Sequence, residues 1–346
     1  MNKKYLFYIS QNYSYAILRP LQAAALSRGD TVAWYLEGDE VTANYLNEEE
    51  VRLESIQDAV DYCADACFVP GNMIPSFIPG LKVAIFHGFA AGKVNRKGLL
   101  GHFTIRGCFD LYCTQGPDTT NKFIELAAKH KYFRVVETGW PTLDPLFIDN
   151  EKLDNSQPTI LMCSTFSRNL TCAPHLYEQI KKLSSTNKWR WIVQFHPKMP
   201  LNIVEMYKAL QNDNLIFIET DNVLPLLKQA DVMLCDTSSV LLMFLLQQKP
   251  VVTYKNVNPE PYLIDFSNVN ELEQHITHAL EYPPELMNNI KHKAKSIHPY
   301  YDGKSSDRIL DAVENELKGL NDLKSKKPFN LIRNIKARYR LKYWKL

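Results

Sequence analysis

The chain has 346 residues, of which 45% are hydrophobic and 23% are charged, and its formal net charge is only +2. This composition is typical of a soluble globular protein long enough for two domains, and it excludes a disordered or fibrous chain. The seven cysteines form no CxxC pair and no zinc-like spacing with histidine, so we expect free thiols. The sequence also offers no convincing cluster of metal-binding carboxylates, and we expect no metal and no other cofactor. The first apolar run is too short for a signal peptide, and the longest, VLLMFLL at 240–246, is far shorter than the ~20 residues that span a bilayer. We therefore expect a cytoplasmic protein.

Short apolar runs alternate with helical patterns along the chain. Before residue 148 the runs are YLFYIS (5–10), TVAWYL (31–36), ACFVP (66–70), KVAIF (82–86), LYCTQ (111–115) and RVVETG (134–139), with a helix near 15–28. After a polar stretch they are TILMCST (159–165), RWIVQF (190–195), LIFIE (215–219), DVMLCD (231–236) and PVVTY (250–254). Nearly continuous apolar strands separated by helices predict parallel sheets covered on both faces. We predict an α/β fold with two Rossmann-like domains, 1–147 and 158–316, facing a cleft.

Three unusual polar groups follow predicted strands, where open parallel sheets bind their ligands. His87 follows KVAIF, His196 follows RWIVQF, and Asp236 ends DVMLCD just before Thr237-Ser238-Ser239 opens an apolar helix. A lone histidine is more often structural, and serines before a helix are more often a cap. The combination is more informative than either feature alone. Two histidines can take and return a proton, and the start of a helix can bind phosphate. Together they favour transfer from a nucleotide-linked donor to a hydroxyl.

The glycine-rich segment after His87 looks like a phosphate cradle at first sight. A Walker loop needs four residues between its glycines before the Gly-Lys pair, and Gly88 and Gly92 enclose only three. Val94 also replaces the required Ser or Thr. We therefore expect this turn to make room for an acceptor beside His87.

The C-terminal segment 324–346 contains nine Lys or Arg residues and no acidic residue. The rest of the chain therefore has 31 basic and 38 acidic residues, which gives it a formal net charge of −7. On a helix after Pro328, apolar residues share one face at i, i+3 and i+4 spacing: Ile332, Ile335, Tyr339, Tyr343 and Leu346. Basic residues lie elsewhere around the axis, and Trp344 adds an interfacial aromatic. The pattern favours a tail on an anionic membrane surface over a helix packed on its own domain, and we expect no nucleic-acid partner.

Five segments resemble, in order, those of the CDP-glycerol glycerophosphotransferase family, whose members build teichoic-acid-like polymers. They are FHGFAAGK (86–93), ETGWPTLDPLF (137–147), QFHPK (194–198), VLPLLKQADVMLCDTSSVLLMFLLQQKPVVTY (223–254) and YYDGKSSDRILDAV (300–313). The resemblance implies a GT-B fold whose second domain binds most of the donor. It also implies a lipid-linked acceptor, which agrees with the interfacial tail.

The resemblance also implies residue roles. His87 would be the base that deprotonates the acceptor hydroxyl, with Gly88 and Lys93 on the acceptor side. His196 would steady the donor phosphates or protonate the leaving group. Arg308 offers the fork that suits bidentate phosphate contact. The implied donor-binding residues are Asp236, Thr237, Ser238, Ser239, Ser305, Arg308 and Arg168.

The chain departs from the family pattern at two positions, because Thr142 stands where an Arg is usual and Thr237 replaces a common Tyr. We predict metal-independent transfer of a polyol phosphate, most simply glycerol phosphate, from a CDP-activated donor to a cell-surface glycan or lipid-linked acceptor, with release of CMP. The work would be done at the inner face of the cell membrane, in teichoic acid or capsule synthesis. Two alternatives stay open: a GT-B glycosyltransferase that uses a CMP-linked acidic sugar or a UDP-hexose, and a non-catalytic binder.

Overall fold

The computed structural model describes residues 2–89, 101–148, 157–220, 222–319 and 325–345. Contacts divide the chain into two compact units. The first unit comprises Met1–Ile148 and Ile297–Leu346, and the second comprises Asp149–Ser296. The sequence predicted a second domain that continues to 316, whereas residues 297–316 group with the first unit. The reason is a close backbone approach, because a Cβ on Gly116 would lie 2.2 Å from the carbonyl oxygen of Ile297.

The first unit is built on a parallel sheet. Its strands are β1 (Lys4–Ile9), β2 (Thr31–Leu36), β3 (Val51–Leu53), β4 (Ala66–Val69), β5 (Leu81–Ala84), β6 (Leu111–Thr114) and β7 (Arg134–Glu137). They lie in the order β3-β2-β1-β4-β5-β6-β7, with Tyr5 of the central β1 in register with Val32 on one side and Ala66 on the other. Tyr5 to Ile9 are all buried, as expected of a strand covered on both faces.

The second unit repeats this arrangement. Its strands are β8 (Thr159–Ser164), β9 (Arg190–Phe195), β10 (Leu215–Phe217), β11 (Val232–Cys235), β12 (Val251–Tyr254) and β13 (Ile264–Phe266). Their order is β10-β9-β8-β11-β12-β13, and each described pair is parallel. The strand order reverses between β8 and β11, so the carboxyl ends of these two strands flank the crevice in which such sheets bind ligands.

Helices lie between many of the described strands, and the last four follow β13. They are α1 (Ser14–Ser27), α2 (Ile56–Asp61), α3 (Pro117–His130), α4 (Asp144–Ile148), α5 (Ala173–Ser184), α6 (Leu201–Lys208), α7 (Leu224–Gln229), α8 (Val240–Leu245), α9 (Leu272–Leu280), α10 (Pro284–Ile297), α11 (Ser305–Lys318) and α12 (Leu331–Leu341). Local sequence signals determine where two of these helices begin. Ser55 and Asp58 form a capping box at the start of α2, and α3 begins at a proline. The predicted α/β fold with two parallel sheets is confirmed.

Candidate active site

The turn after β5 presents His87. The amide of Ile85 still bonds to the carbonyl of Val69 in β4 at 3.0 Å, so pairing continues one residue past Ala84. Phe86 then adopts a φ of +64°, a left-handed conformation that bulky residues rarely take. The chain leaves the sheet abruptly, with Phe86 buried and His87 exposed. Such a residue costs about 1–3 kcal/mol, so contacts around Phe86 must hold it in place.

A main-chain oxygen orients the imidazole of His87. Its Nδ1 lies 3.0 Å from the carbonyl oxygen of Pro70, which follows β4. Because a carbonyl oxygen only accepts hydrogen bonds, this contact requires a hydrogen on Nδ1, and the neutral ring then has its lone pair on Nε2. The ring of Tyr13 lies beside it, with centroids 5.6 Å apart. His87 is therefore held in a tautomer suited to a general base, whose Nε2 would take the proton.

The predicted acceptor-side residues are Gly88 and Lys93. The carbonyl oxygen of Gly88 accepts from Nε2 of Gln115 at 3.0 Å, and a Cβ on Gly88 would meet no atom of the described residues within 4 Å. Lys93 lies outside the described residues, so its role stays a prediction.

A second histidine lies near His87 and was not singled out from the sequence. His102 stacks on Phe86 with ring centroids 5.1 Å apart, and among the described residues its Nε2 has no hydrogen-bond partner. Burial, and then the charge of nearby His87, lower the pKa of His102 to about 4. His102 is therefore neutral near pH 7 and supports the strained Phe86 ring without adding a cation beside the candidate base.

In the second unit, Asp236 joins the two strands that flank the crevice. Its carboxylate follows β11, is completely buried, and accepts the hydroxyl of Ser164 at the end of β8 at 2.6 Å. It also accepts the amides of Thr165 at 3.1 Å and Cys172 at 3.0 Å. Burial raises the pKa of Asp236, while these hydrogen bonds lower it. Asp236 therefore holds both ends of the loop 165–171, which carries the exposed Arg168.

The residues after Asp236 differ from the expected serine cap. Thr237 Oγ1 accepts the amide of Val257 at 3.1 Å, which ties this turn to the loop after β12. Ser239 occupies the N-cap position of α8, but its side chain makes no cap hydrogen bond. Ser238 is half-buried and Ser239 is exposed. The expectation that a serine side chain caps this helix is wrong for Ser239, and the phosphate-binding role of both serines stays a prediction.

His196 follows β9 directly and is exposed. Its Nδ1 accepts the backbone amide of Lys198 at 3.0 Å, and its ring lies 4.5 Å from that of Phe166. An accepting Nδ1 has no hydrogen, so the neutral ring has its hydrogen on Nε2. This tautomer is opposite to that of His87, and it suits donation to a phosphate oxygen.

Ser305 lies in the first unit, at the start of α11. Its amide and that of Ser306 each donate to a different carboxylate oxygen of Asp144, both at 2.8 Å. Asp144 is buried, and burial raises its pKa while these bonds oppose the rise. A carboxylate of the chain thus occupies the helix start where the resemblance implied a donor phosphate. Asp144 belongs to the matched segment 137–147, but its contact with Ser305 was not predicted, because the two residues are 161 positions apart in the sequence.

Arg308 is engaged within the same unit. Its Nε donates to the carbonyl of Thr138 at 2.8 Å, and its two terminal nitrogens bond to Asp302 at 2.8 and 3.1 Å. The guanidinium also lies 3.9 Å from the centroid of the Tyr300 ring. Arg308 uses the predicted fork geometry, but on a carboxylate of its own chain, and its donor-binding role stays a prediction.

The basic tail packs one side of α12 on the first unit and exposes the other. Tyr343 was predicted on the apolar membrane face, but it stacks on Phe77 with centroids 4.7 Å apart. The exposed apolar residues are Phe329 (76%), Leu331 (56%), Ile332 (72%), Ile335 (48%), Tyr339 (77%) and Trp344 (61%). Leu346 lies outside the described residues. Among those described, no helix combines the length and apolar character needed to cross a bilayer.

Comparison with known proteins identifies the family. The family model for CDP-glycerol:poly(glycerophosphate) glycerophosphotransferase matches residues 108–315, which is more than half of the chain. The chain belongs to this family. It is therefore an enzyme of the CDP-glycerol glycerophosphotransferase type, and the family predicted from its motifs is confirmed. No match to a curated protein emerges.

Solved structures share the fold at low sequence identity. The wall teichoic acid polymerase TagF is 14% identical with a TM-score of 0.64, over 92% of this chain and 90% of that one. A variant of the same polymerase soaked with CDPG has the same TM-score at 13% identity, over 91% of this chain and 89% of that one. The UDP-GlcNAc 2-epimerase of Neisseria meningitidis, bound to UDP-GlcNAc, is 13% identical with a TM-score of 0.58, over 90% of this chain and all (100%) of that one. The GT-B-like fold class is thereby confirmed.

Proposed function

We propose that this enzyme transfers glycerol phosphate from CDP-glycerol to a hydroxyl of a cell-surface glycan or lipid-linked acceptor and releases CMP. The acceptor oxygen forms a bond to the phosphorus that carries glycerol, and the bond from that phosphorus to the CMP oxygen breaks. The acceptor proton passes to Nε2 of His87. The charge that develops on the leaving CMP phosphate is met by the N–H of His196 Nε2.

The observation that carries the proposal is the opposite tautomers of the two histidines. Pro70 accepts from Nδ1 of His87 and leaves Nε2 basic, while Lys198 donates to Nδ1 of His196 and leaves hydrogen on Nε2. One ring is thereby prepared to take a proton and the other to donate a hydrogen bond. Transfer of a phosphoryl group to a hydroxyl needs both functions, and family membership supplies the donor class.

The remaining residues keep the roles that the family resemblance implies for them. The second-unit crevice would bind the CDP-glycerol phosphates through Thr237, Ser238, Ser239 and Arg168, with Asp236 holding the loop of Arg168 in place. Gly88 and Lys93 would border the acceptor. Ser305 and Arg308 would reach the donor phosphates only after exchanging the partners they have within the first unit.

We also propose that the enzyme works as a peripheral protein on the cytoplasmic face of the membrane. The exposed apolar side chains of 329–344 accompany nine basic residues and no acid in 324–346. Apolar burial combined with attraction to anionic lipids is how interfacial helices bind. A lipid-linked acceptor would then lie in the same surface as the enzyme.

Product identification tests the proposal. The enzyme is incubated with CDP-glycerol labelled in the glycerol and with a lipid extract that contains polyprenol-linked saccharides. We expect equal amounts of CMP and labelled phosphodiester lipid. Parallel incubations use CDP-ribitol, a CMP-linked acidic sugar and UDP-glucose. Transfer from either sugar nucleotide in place of CDP-glycerol would assign the enzyme to the glycosyltransferases, and no product from any donor would contradict catalysis.

A further inference from the structure

The left-handed turn at Phe86 is held from outside its own strand. The indole N–H of Trp140, in the loop after β7, donates to the carbonyl oxygen of Phe86 at 3.3 Å. Trp140 is buried, and its ring packs edge-on against Phe89 with centroids 5.3 Å apart. The side chain of Trp140 therefore contacts both Phe86, the residue before His87, and Phe89, two residues after it.

Trp140 is in turn held by the segment that returns to the first unit. Its backbone amide donates to Nε2 of the fully buried His298 at 3.0 Å. Gly139 has a φ of +82°, and a Cβ there would lie 2.4 Å from Oγ of Ser305 and 2.9 Å from Nε2 of His298. A larger residue at position 139 would therefore push the two segments apart.

The bond from Trp140 also requires a neutral His298, because a protonated Nε2 cannot accept an amide hydrogen. Burial is the main cause that lowers the pKa of His298 to about 4, and the charge of Arg308 acts in the same direction. The contact is therefore intact near pH 7.

We infer that Trp140 is a positioning residue for His87 and that His298 fixes Trp140 in place. The inference rests on the proposed role of His87 as the base. Without the indole N–H, the buried carbonyl of Phe86 has no other side-chain donor among the described residues, and the turn can relax toward an ordinary φ. The imidazole of His87 then moves away from the carbonyl of Pro70. The matched segment 137–147, which contains Trp140, thus acts on the base.

Trp140→Phe is the direct test, because it keeps a ring and removes the N–H. A displacement of about 1 Å can cost ~10² in rate, so we expect kcat for CMP release to fall about 10- to 100-fold. The dissociation constant of CDP-glycerol should be unchanged. The matched control is Trp34→Phe, since the buried Trp34 donates its indole N–H to Gln22 at 2.8 Å in the same unit. It should lose comparable stability and keep kcat.

A spectroscopic readout separates positioning from general damage. Two-bond ¹⁵N–¹H spectra of histidine-labelled protein report which ring nitrogen carries hydrogen, and His87→Asn identifies the signal of His87. We expect the Nδ1–H tautomer in the wild type and in Trp34→Phe, and a mixture of tautomers in Trp140→Phe. His298→Leu should reproduce the Trp140→Phe result, whereas His298→Gln, whose side-chain oxygen can accept the amide of Trp140, should restore wild-type behaviour.

The outcomes distinguish this inference from the proposed function. If His87→Asn is inactive while Trp140→Phe keeps the wild-type kcat and tautomer, Trp140 does not position His87. If His87→Asn is fully active, His87 is not the base. The tautomer of His87 in Trp140→Phe is then the only readout that tests whether Trp140 positions the His87 ring. An unchanged His87 tautomer in Trp140→Phe then overturns the inference.

Discussion

The buried His298 makes the first unit sensitive to acid. It is 0% exposed, and its pKa in the folded protein is about 4 against an ordinary value of 6.5. Burial is the largest cause, Arg308 adds to it, and Asp302 opposes it. The unfolded chain therefore binds a proton more readily than the folded chain between these two values. The neutral form contributes full stability above pH 6.5, and that contribution is lost as the pH falls toward 4.

The magnitude follows from the two pKa values. Between pH 7.5 and pH 4.5, a histidine whose pKa falls from 6.5 to about 4 on folding removes about 2.5 kcal/mol from the free energy of unfolding. His298→Gln removes this titration and keeps an acceptor for the amide of Trp140. The wild type should therefore lose about 2.5 kcal/mol more than His298→Gln over this pH range.

Urea denaturation followed by hydrogen exchange and mass spectrometry measures the loss for each unit separately. Peptides from 134–148 and 297–310 report the first unit, and peptides from 190–208 report the second. His130→Gln in the first unit controls for the removal of any histidine. An identical loss of stability in the wild type and in His298→Gln would refute the reasoning.

Three further perturbations test other contacts. Asp236→Ala leaves three donors, two of them buried, without the carboxylate that accepts from them. Loop 165–171 should therefore exchange faster, the second unit should lose about 3–5 kcal/mol in urea, and calorimetry should show weaker binding of CDP-glycerol. Asp144→Ala removes the acceptor of two amides at the start of α11 and should destabilise the first unit by about 2–4 kcal/mol, whereas unchanged stability would exclude its capping role. The double change Ile332→Asp and Ile335→Asp should weaken sedimentation with phosphatidylglycerol vesicles at least ~10-fold. The exposed Leu201→Asp is its control, and equal binding by both would contradict membrane attachment by the tail.

The sequence predicts the central strands and two of the four edge strands, β7 and β10, and it misses the other two. The runs that became β2 and β9 have the predicted limits, because buried parallel strands are continuous apolar runs. The edge strands β3 and β13 were missed, because each has only three residues and contains a charged one. The return of residues 297–346 to the first unit was missed as well. It depends on the approach of Gly116 to Ile297, which no local pattern reports.

The site divides in the same way. His87, His196 and Asp236 follow strands as predicted, because a strand end is readable from local pattern. Their partners were not predictable, since Trp140 and His298 are 158 residues apart and meet only in the folded unit. The left-handed Phe86 was also missed, because no glycine marks that position.

The most direct test of the proposed mechanism is single-turnover CMP formation by the wild type and His87→Asn, with the enzyme in excess over CDP-glycerol. A general base is typically worth ~10²–10⁴ in rate, so the variant should lose about that much while its affinity for CDP-glycerol is unchanged. A His87→Asn enzyme that forms CMP at the wild-type rate would contradict the assignment of His87 as the base.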